Sequence, residues 1–437
     1  MDVNEVGPIA SAFALHAAGA LADAEAAYRR ILAADPRHAV ALHYLGVLRH
    51  QLGDSQTAVS LIRQALDADG GSASRYNDLG NILVQVADSA GAAAAFRASI
   101  GFNRDDPNVW NNLGSVLRDQ RDLAGAETAL RAALRCNADF VAALNNLAEL
   151  LMQTGREEES SLLTCRAFVL PPFDGKPQKM LGIAYYRLGR FAEAAECYRA
   201  WLRAEPDSAV ARHYLAACSG QDVPARASDA FVTAVFDEMA DGFDQKLVGA
   251  LSYRGPQIIA GLLDGQVPAS RALEVLDGGC GTGLCAPLLA PYAGRLVGVD
   301  LSPRMLAKAM QRNLYDELVE MELAAFLSSR KHSFDLIVMA DTLIYFGDLA
   351  ELFTAVAQAL RAAGTFAFTV EVATESGQRP IDFNLSPSGR YGHSLRYLSD
   401  SLDAAGLALV RSDDVVLRSE FCRPTPGLGV LARSQRR

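Results

Sequence analysis

No uninterrupted apolar run in the 437 residues approaches the ~18 needed to cross a bilayer, although half of the residues are hydrophobic. A membrane-spanning protein is therefore not expected. The stretch Ile9 to Ala20 is apolar, but the residues before it include Asp2 and Glu5 rather than Lys or Arg, which argues against a secretory signal. Positive charge is also short. With 41 Lys and Arg against 51 Asp and Glu, the formal charge is −10. A nucleic-acid backbone needs a basic face, so nucleic acid is not expected as the main partner. Cysteine is sparse and unordered: Cys136, Cys165, Cys197, Cys218, Cys280, Cys285 and Cys422 are odd in number and form no C-x-x-C pair. None joins histidines at metal-ligand spacing, so the expectation is reduced thiols, a cytoplasmic location and no metal. The length leaves room for two or more domains.

What the chain does have, in its first half, is a period. Leu45-Gly46, Leu79-Gly80, Leu113-Gly114, Leu147-Ala148, Leu181-Gly182 and Leu215-Ala216 recur every 34 residues without slippage. Small residues return at Ala24, Ala58, Ala92, Ala126, Ser160 and Ala194, where two helices of one unit must approach closely. Four positions later stand Tyr28, Ile62, Phe96, Leu130 and Tyr198, with Thr164 breaking the series. Gly19, Gly53, Gly155 and Gly189 mark turns, and Pro36, Pro172 and Pro206 end second helices. This pattern resembles the tetratricopeptide repeat. The resemblance implies about six repeats within residues 1–222, closed by a capping helix near Ala209 to Ser219. Such units cannot bury their apolar faces alone, so they stack into a superhelix. It also implies a protein partner or self-association through the array. Asn111-Asn112 and Asn145-Asn146 share a phase that faces the groove in such arrays.

The second half, residues 223–437, is organised around Leu276-Asp277-Gly278-Gly279-Cys280-Gly281-Thr282-Gly283. An apolar run, Ala272 to Leu276, precedes it and reads as a buried parallel strand. Leu284 to Leu289 follows as an apolar helix start with Pro287 in its first turn. A glycine bend between strand and helix is where a nucleotide-like cofactor meets exposed backbone amides. The next strand, Arg295 to Val299, ends in Asp300, placed to accept hydrogen bonds from ribose hydroxyls. Dinucleotide sites prefer G-x-G-x-x-G. Here the spacing is G-x-G-x-G and Leu284 holds the position of the last glycine. Together with Val297 to Ser302 and Phe334 to Phe346, this block resembles the class I S-adenosylmethionine-dependent methyltransferases.

The resemblance implies an α/β Rossmann-like domain, a mostly parallel sheet with an antiparallel last strand, after the all-α repeat superhelix. It implies S-adenosyl-L-methionine as cofactor, held by Asp277, Gly278, Gly279, Cys280, Gly281, Gly283, Leu284, Asp300, Leu301, Met305, Glu322, Leu323, Asp341 and Thr342. Glu322 is expected at the end of a third strand, Leu318 to Glu322, near the adenine. The segment FDEMADGFDQKL resembles the N-terminal lid of small-molecule methyltransferases acting on quinone precursors, aconitate or malonyl thioesters. Lid helices are thus expected over about 228–265, with Phe236, Phe243, Tyr253 and Arg254 as candidate substrate contacts. Gly220 to Ser228 reads as a linker, and a loop is expected from Ala373 to Arg390. Arg390, Tyr391, His393 and Tyr397 crowd together just beyond it. A closing antiparallel pair is expected at Ala408 to Val416 and Gly429 to Ala432, with Arg423-Pro424 and Pro426-Gly427 in the turn.

Methyl transfer from a sulfonium needs alignment and exclusion of water more than it needs an enzyme nucleophile. His393 is the candidate base. Arg390, with Arg254 second, is the candidate partner of a substrate carboxylate. Tyr345 is the candidate aromatic wall of the methyl pocket, and Tyr391 and Tyr397 are candidate substrate contacts. Three readings stay open: a methyltransferase for a small, anionic or carrier-bound metabolite; a protein methyltransferase whose repeats grip the polypeptide; and a repeat scaffold with a vestigial catalytic domain.

Overall fold

The computed structural model describes residues 7–373, 381–420 and 423–436. Asp2, Glu5, positions 374–380 of the expected loop and Cys422 lie outside the described residues. Helices pair as the period requires: Pro8–Ala17 with Leu21–Ala34, Ala39–Gln51 with Ser55–Asp69, Ala73–Gln85 with Ser89–Phe102, Pro107–Asp119 with Leu123–Cys136, Val141–Gln153 with Glu157–Phe168, and Gln178–Arg187 with Phe191–Ala204. Ala209–Ser219 follows alone.

The pairing explains the alternation of small and large residues. A Cβ on Gly46, Gly80, Gly114 or Gly182 would lie 2.5–2.8 Å from side-chain atoms of Ile62, Phe96, Leu130 or Tyr198, respectively. Each glycine thus lets the bulky residue of its own pair sit against the helix backbone. In the fifth pair the small residue is Ala148 and the offset position is Thr164, which is exposed. Ser160 there donates its hydroxyl to Ala148 O at 2.7 Å. The Asn phase forms a lateral ladder: Asn112 Nδ2 donates to Asn81 Oδ1 at 3.1 Å, and Asn146 Nδ2 to Asn111 Oδ1 at 2.9 Å.

Contacts divide the chain into two compact units, Met1–Pro172 and Phe173–Arg437. The sixth helix pair and the lone helix Ala209–Ser219 fall within the second unit, which also contains the sheet. The reason is visible in the side chains: His213 stacks on Phe231 at 3.9 Å between ring centroids and donates from Nε2 to Gly389 O at 2.8 Å. The expected linker is likewise pinned. Ala227 N donates to Tyr345 O at 2.8 Å and Gly347 N to Ala225 O at 2.8 Å.

The sheet of the second unit comprises β1 (Leu273–Gly278), β2 (Ala293–Asp300), β3 (Glu317–Glu320), β4 (Phe334–Met339), β5 (Leu360–Val372), β6 (Phe383–Leu385), β7 (Tyr391–His393), β8 (Leu407–Glu420) and β9 (Arg423–Ser434). Its order is β3-β2-β1-β4-β5-β7-β6, and β9 pairs with both β5 and β8. The pairs β1–β2, β1–β4, β2–β3 and β4–β5 are parallel; β5–β9 and β8–β9 are antiparallel. Side chains alternate between two cores, as the pleat demands. Leu276, Ile337, Phe366 and Phe368 pack with Leu352, Phe353 and Leu398 on one face. Val275, Leu336, Val338 and Ala367 pack with Ile259, Leu262 and Leu289 on the other. The chain leaves β1 toward β2 on one side and reaches β4 on the other. That reversal opens a crevice at the strands' carboxyl ends.

Three expectations change. β3 ends at Glu320, so Glu322 is not a strand end: it caps the helix Leu323–Ser329, accepting from Ala325 N at 2.8 Å. The helix after the glycine loop is only Ala286–Leu289, so Leu284 and Cys285 are turn rather than helix start. Finally, β8 and β9 continue past the expected turn, with Arg418 opposite Thr425 and Glu420 opposite Arg423. Pro424 and Pro426 are tolerated there because that stretch of β9 pairs only with β8, whereas β5 begins to pair at Gly427.

Candidate active site

The glycine loop turns back over the end of β2. Gly279 N and Cys280 N donate to Val299 O at 2.8 and 3.0 Å. Gly279 has φ +72, and a Cβ on it would collide with the Thr342 side chain, so only glycine fits. Thr342 in turn donates its hydroxyl to Gly278 O at 2.9 Å, tying the end of β4 to the end of β1. Asp300 accepts from Gly281 N at 2.8 Å through Oδ2 and from Ser302 N at 2.9 Å through Oδ1. Each oxygen keeps a lone pair for a ligand, and burial pushes the carboxyl's pKa up. Asp277 lies deeper. Burial raises its pKa to about 7, against the hydrogen bond from Tyr315 at 2.7 Å, with Asp300 adding to the rise.

These groups line one end of a cavity of about 430 Å3. Glu322 stands beside it with Oε1 buried and unpartnered, while Oε2 is used for capping. An orphaned acceptor in a cavity wall fits an exocyclic amino group. Leu284, Leu301, Leu323, Asp341 and Thr342 also face the cavity. Gly278, Gly283 and Met305 do not; Met305 is wholly buried behind the wall.

The segment expected as a lid is the helix Asp229–Met239, a 3-10 turn Ala240–Gly242 and a π-helical turn Gln245–Ala250. It is fastened to the end of the cavity formed by the glycine loop and the end of β2. Ser302 donates to Asp237 Oδ1 at 2.5 Å, and Arg304 donates to Asp237 O at 2.8 Å and to Asp241 at 2.6 Å. Asp244 takes both the Thr282 hydroxyl and Arg312. Phe236, Phe243 and Tyr253 point into the cavity, with Phe236 edge-on to Tyr345 at 5.5 Å. Arg254 is exposed and off the cavity, its backbone N donating to Leu417 O at 2.9 Å.

At the other end lies an ion network that the sequence did not reveal. Arg418, 3 % exposed, donates to Asp341 at 2.7 Å, to Glu420 at 2.9 Å and to Glu371. Arg390 donates to Glu371 at 2.7 Å and to Glu420. Two guanidiniums thus meet three carboxylates, leaving one negative charge in excess, and Asp341 Oδ1 has no hydrogen-bond partner. Asp341 is held at φ +59, a conformation costly for a non-glycine residue, with its N donating to Thr369 at 2.8 Å. Arg390 does face the cavity, but its carboxylate partners are already in place. Arg226, the third arginine on the wall among the described residues, pairs with Asp229 at 2.5 Å.

His393 is not at the site. It is fully buried away from the cavity, with Nε2 donating to Gly347 O at 3.1 Å. Burial lowers its pKa to about 4, too low for a base working near neutrality. Tyr391 is also buried off the cavity, its hydroxyl donating to Pro224 O at 2.7 Å; the Tyr397 hydroxyl accepts from Leu349 N at 2.9 Å. Tyr345 does line the cavity, and burial keeps its phenol protonated. The sequence also did not signal Ile183, Tyr186, Tyr198 and Tyr214, wall residues from the sixth helix pair and the lone helix. A repeat period predicts the stacking of helices and carries no sign of a cavity beside them.

Known proteins match the two halves of the chain separately. The family described as methyltransferase domain matches residues 276–368. Tetratricopeptide repeat families match 14–73, 77–139, 112–172 and 176–218. Nodulation protein S of Sinorhizobium fredii is 39 % identical over 92 residues, 21 % of this chain and 41 % of that protein. Methyltransferase-like protein 27 of Homo sapiens is 40 % identical over 85 residues, 19 % of this chain and 34 % of that protein. The matched part thus spans about two fifths or less of these relatives. A solved S-adenosylmethionine-dependent methyltransferase from Mesorhizobium loti is 25 % identical, covering 40 % of this chain and 96 % of that one at a TM-score of 0.32. The chain carries tetratricopeptide repeats followed by an S-adenosylmethionine-dependent methyltransferase domain.

Proposed function

We propose that the chain transfers a methyl group from S-adenosylmethionine to a small neutral or cationic acceptor enclosed in the cavity. The cofactor fits the residues present. Asp300 suits the ribose hydroxyls, Glu322 Oε1 the adenine amino group, and the cradle at Gly279 leaves no room for a side chain. When bound, the cofactor supplies an electrophilic methyl group on sulfur. The chain's own part is alignment and dryness: Phe236, Phe243 and Tyr345 wall the reacting centre, and the fastened lid excludes water. Asp341 Oδ1 is the free acceptor for an acceptor N–H or O–H.

The charge of the wall carries the choice of acceptor. Among the described residues, Arg226, Arg390 and Arg418 on the wall are all paired with carboxylates, so an anionic metabolite finds no unpaired guanidinium among them. It would instead meet the excess negative charge of the network, which disfavours the anionic class considered from sequence. We further propose that helices 8–168 serve a protein partner or a second copy. No helix among the described residues is long and apolar enough to cross a membrane.

The cofactor assignment is tested by calorimetry with S-adenosylmethionine. Asp300→Ala removes a charged acceptor and should weaken binding by about 1–3 kcal/mol, roughly 5–150-fold. Unchanged affinity would refute it.

A further inference from the structure

The acceptor end of the cavity is closed by the repeat fold itself. Helices Gln178–Arg187 and Ala209–Ser219 continue the 34-residue period, yet they send Ile183, Tyr186 and Tyr214 into the cavity. Their position is fixed from both sides. Tyr214 stacks on the buried Tyr198 at 5.5 Å and packs edge-on to Phe231 at 5.8 Å. Gly389, φ +85, comes so close that a Cβ would stand 2.8 Å from the Tyr214 ring. The Gly389 carbonyl accepts from His213 on the same helix. Lys179 binds Glu238 of the lid at 2.6 Å.

We propose that this last repeat is the specificity wall of the acceptor subsite, with Tyr186 and Tyr214 packing against an uncharged, flat apolar acceptor. The proposal rests on the methyltransferase reading and narrows its acceptor. The two tyrosines face the Arg390–Glu420 pair. Burial raises both phenols, and Glu420 and Arg390 act on each in opposite senses. Arg390 and Glu420 on this wall are already paired with each other, so a charged group beside the rings finds no free counter-ion in that pair. Flat apolar groups gain area and offset stacking against such rings, while a charged group loses hydration without a partner.

The test uses the full chain saturated with S-adenosylhomocysteine, and 2-naphthol as a fluorescent probe of an uncharged flat acceptor. Naphthalene-2-sulfonate and 2-naphthyltrimethylammonium supply the two charged forms of the same ring. We expect 2-naphthol to bind about tenfold more tightly than either charged probe. Tyr214→Ala and Tyr186→Ala should each weaken 2-naphthol about tenfold, and Tyr214→Phe should leave it near the native value. Ile183→Trp, which fills the chamber, should abolish probe binding. S-adenosylhomocysteine affinity should stay within about twofold in all four variants, which checks that each has folded. Undiminished 2-naphthol binding in the alanine and tryptophan variants, or tighter binding of a charged probe, overturns the proposal. Failure of the unaltered chain to bind S-adenosylhomocysteine overturns the methyltransferase reading beneath it.

Discussion

His393 shows how burial decides the role of a side chain. Its ordinary pKa near 6.5 suits acid–base work, but the fold keeps it neutral, lowering the pKa to about 4 through desolvation while it donates to Gly347 O. Above pH 6.5 the ring is neutral in folded and unfolded chains alike, and stability is full. As pH falls from 6.5 toward 4, the unfolded chain takes up a proton that the folded chain refuses, so stability falls across that window. Linkage gives a loss of roughly 2–3 kcal/mol between pH 7 and pH 4.5 from this residue. Urea denaturation at the two pH values should show a shallower acid loss in His393→Gln than in the native chain. Equal losses would mean that the ring is not held neutral. His213, also depressed by burial, adds a loss of the same sign in both chains and drops out of the comparison. Crowding of titratable residues in sequence pointed to this segment as a site. It could not reveal that His393 and Tyr391 turn into the core while Arg390 faces the cavity.

Among elements, the repeat pairs make a quantitative statement about side-chain volume. Gly114 lies in a helix interior, where alanine would ordinarily gain about 1 kcal/mol in propensity. Here the added Cβ would stand 2.7 Å from Leu130 Cγ and 3.3 Å from Ala126 O. Overpacking of that kind costs ~1–3 kcal/mol, so the clash should win and Gly114→Ala should destabilise. Leu130→Ala alone should also destabilise, by leaving a cavity of ~2–5 kcal/mol. Together the two should cost less than their sum by about 1 kcal/mol or more, read as a coupling in a thermal double-mutant cycle. Strict additivity would contradict the packing. This small–large register was legible in the sequence because it repeats. So were the strands on either side of the glycine loop and the place of Asp300, since a strand, a glycine bend and an acidic strand end constrain one another. The Arg418–Glu420 end of β8 was not legible. Pro424 and Pro426 looked like turn residues, and only the pairing of β9 shows that their stretch lacks a second neighbour. Nor was the capping role of Glu322, which depends on β3 stopping two residues early.

At the scale of the whole molecule, the repeat signature and the compact units end at different places. The period runs on to Leu215-Ala216, but the units divide at Pro172 and Phe173. A chain starting at Phe173 keeps every contact that fastens the sixth pair to the catalytic domain: the His213–Phe231 stack, the His213–Gly389 hydrogen bond, and Tyr186 and Tyr214 in the wall. A chain starting at Val223 loses them and uncovers Phe231, Tyr391 and the lining of the cavity, all apolar or aromatic surface that water would have to solvate. Both fragments retain the glycine loop, Asp300 and Glu322, so any difference between them reports on the repeat and not on the cofactor residues. The fragment 173–437 should be monodisperse and bind S-adenosylhomocysteine within about twofold of the full chain, since it loses no wall residue. The fragment 223–437 should melt lower by several degrees, on the order of the shift that 1–2 kcal/mol produces in a domain of this size, and should aggregate. Calorimetric melting and size-exclusion chromatography of the two fragments decide the matter. If 223–437 is as stable and as monodisperse as 173–437, the last repeat is a detachable neighbour, and the catalytic domain begins where the period ends.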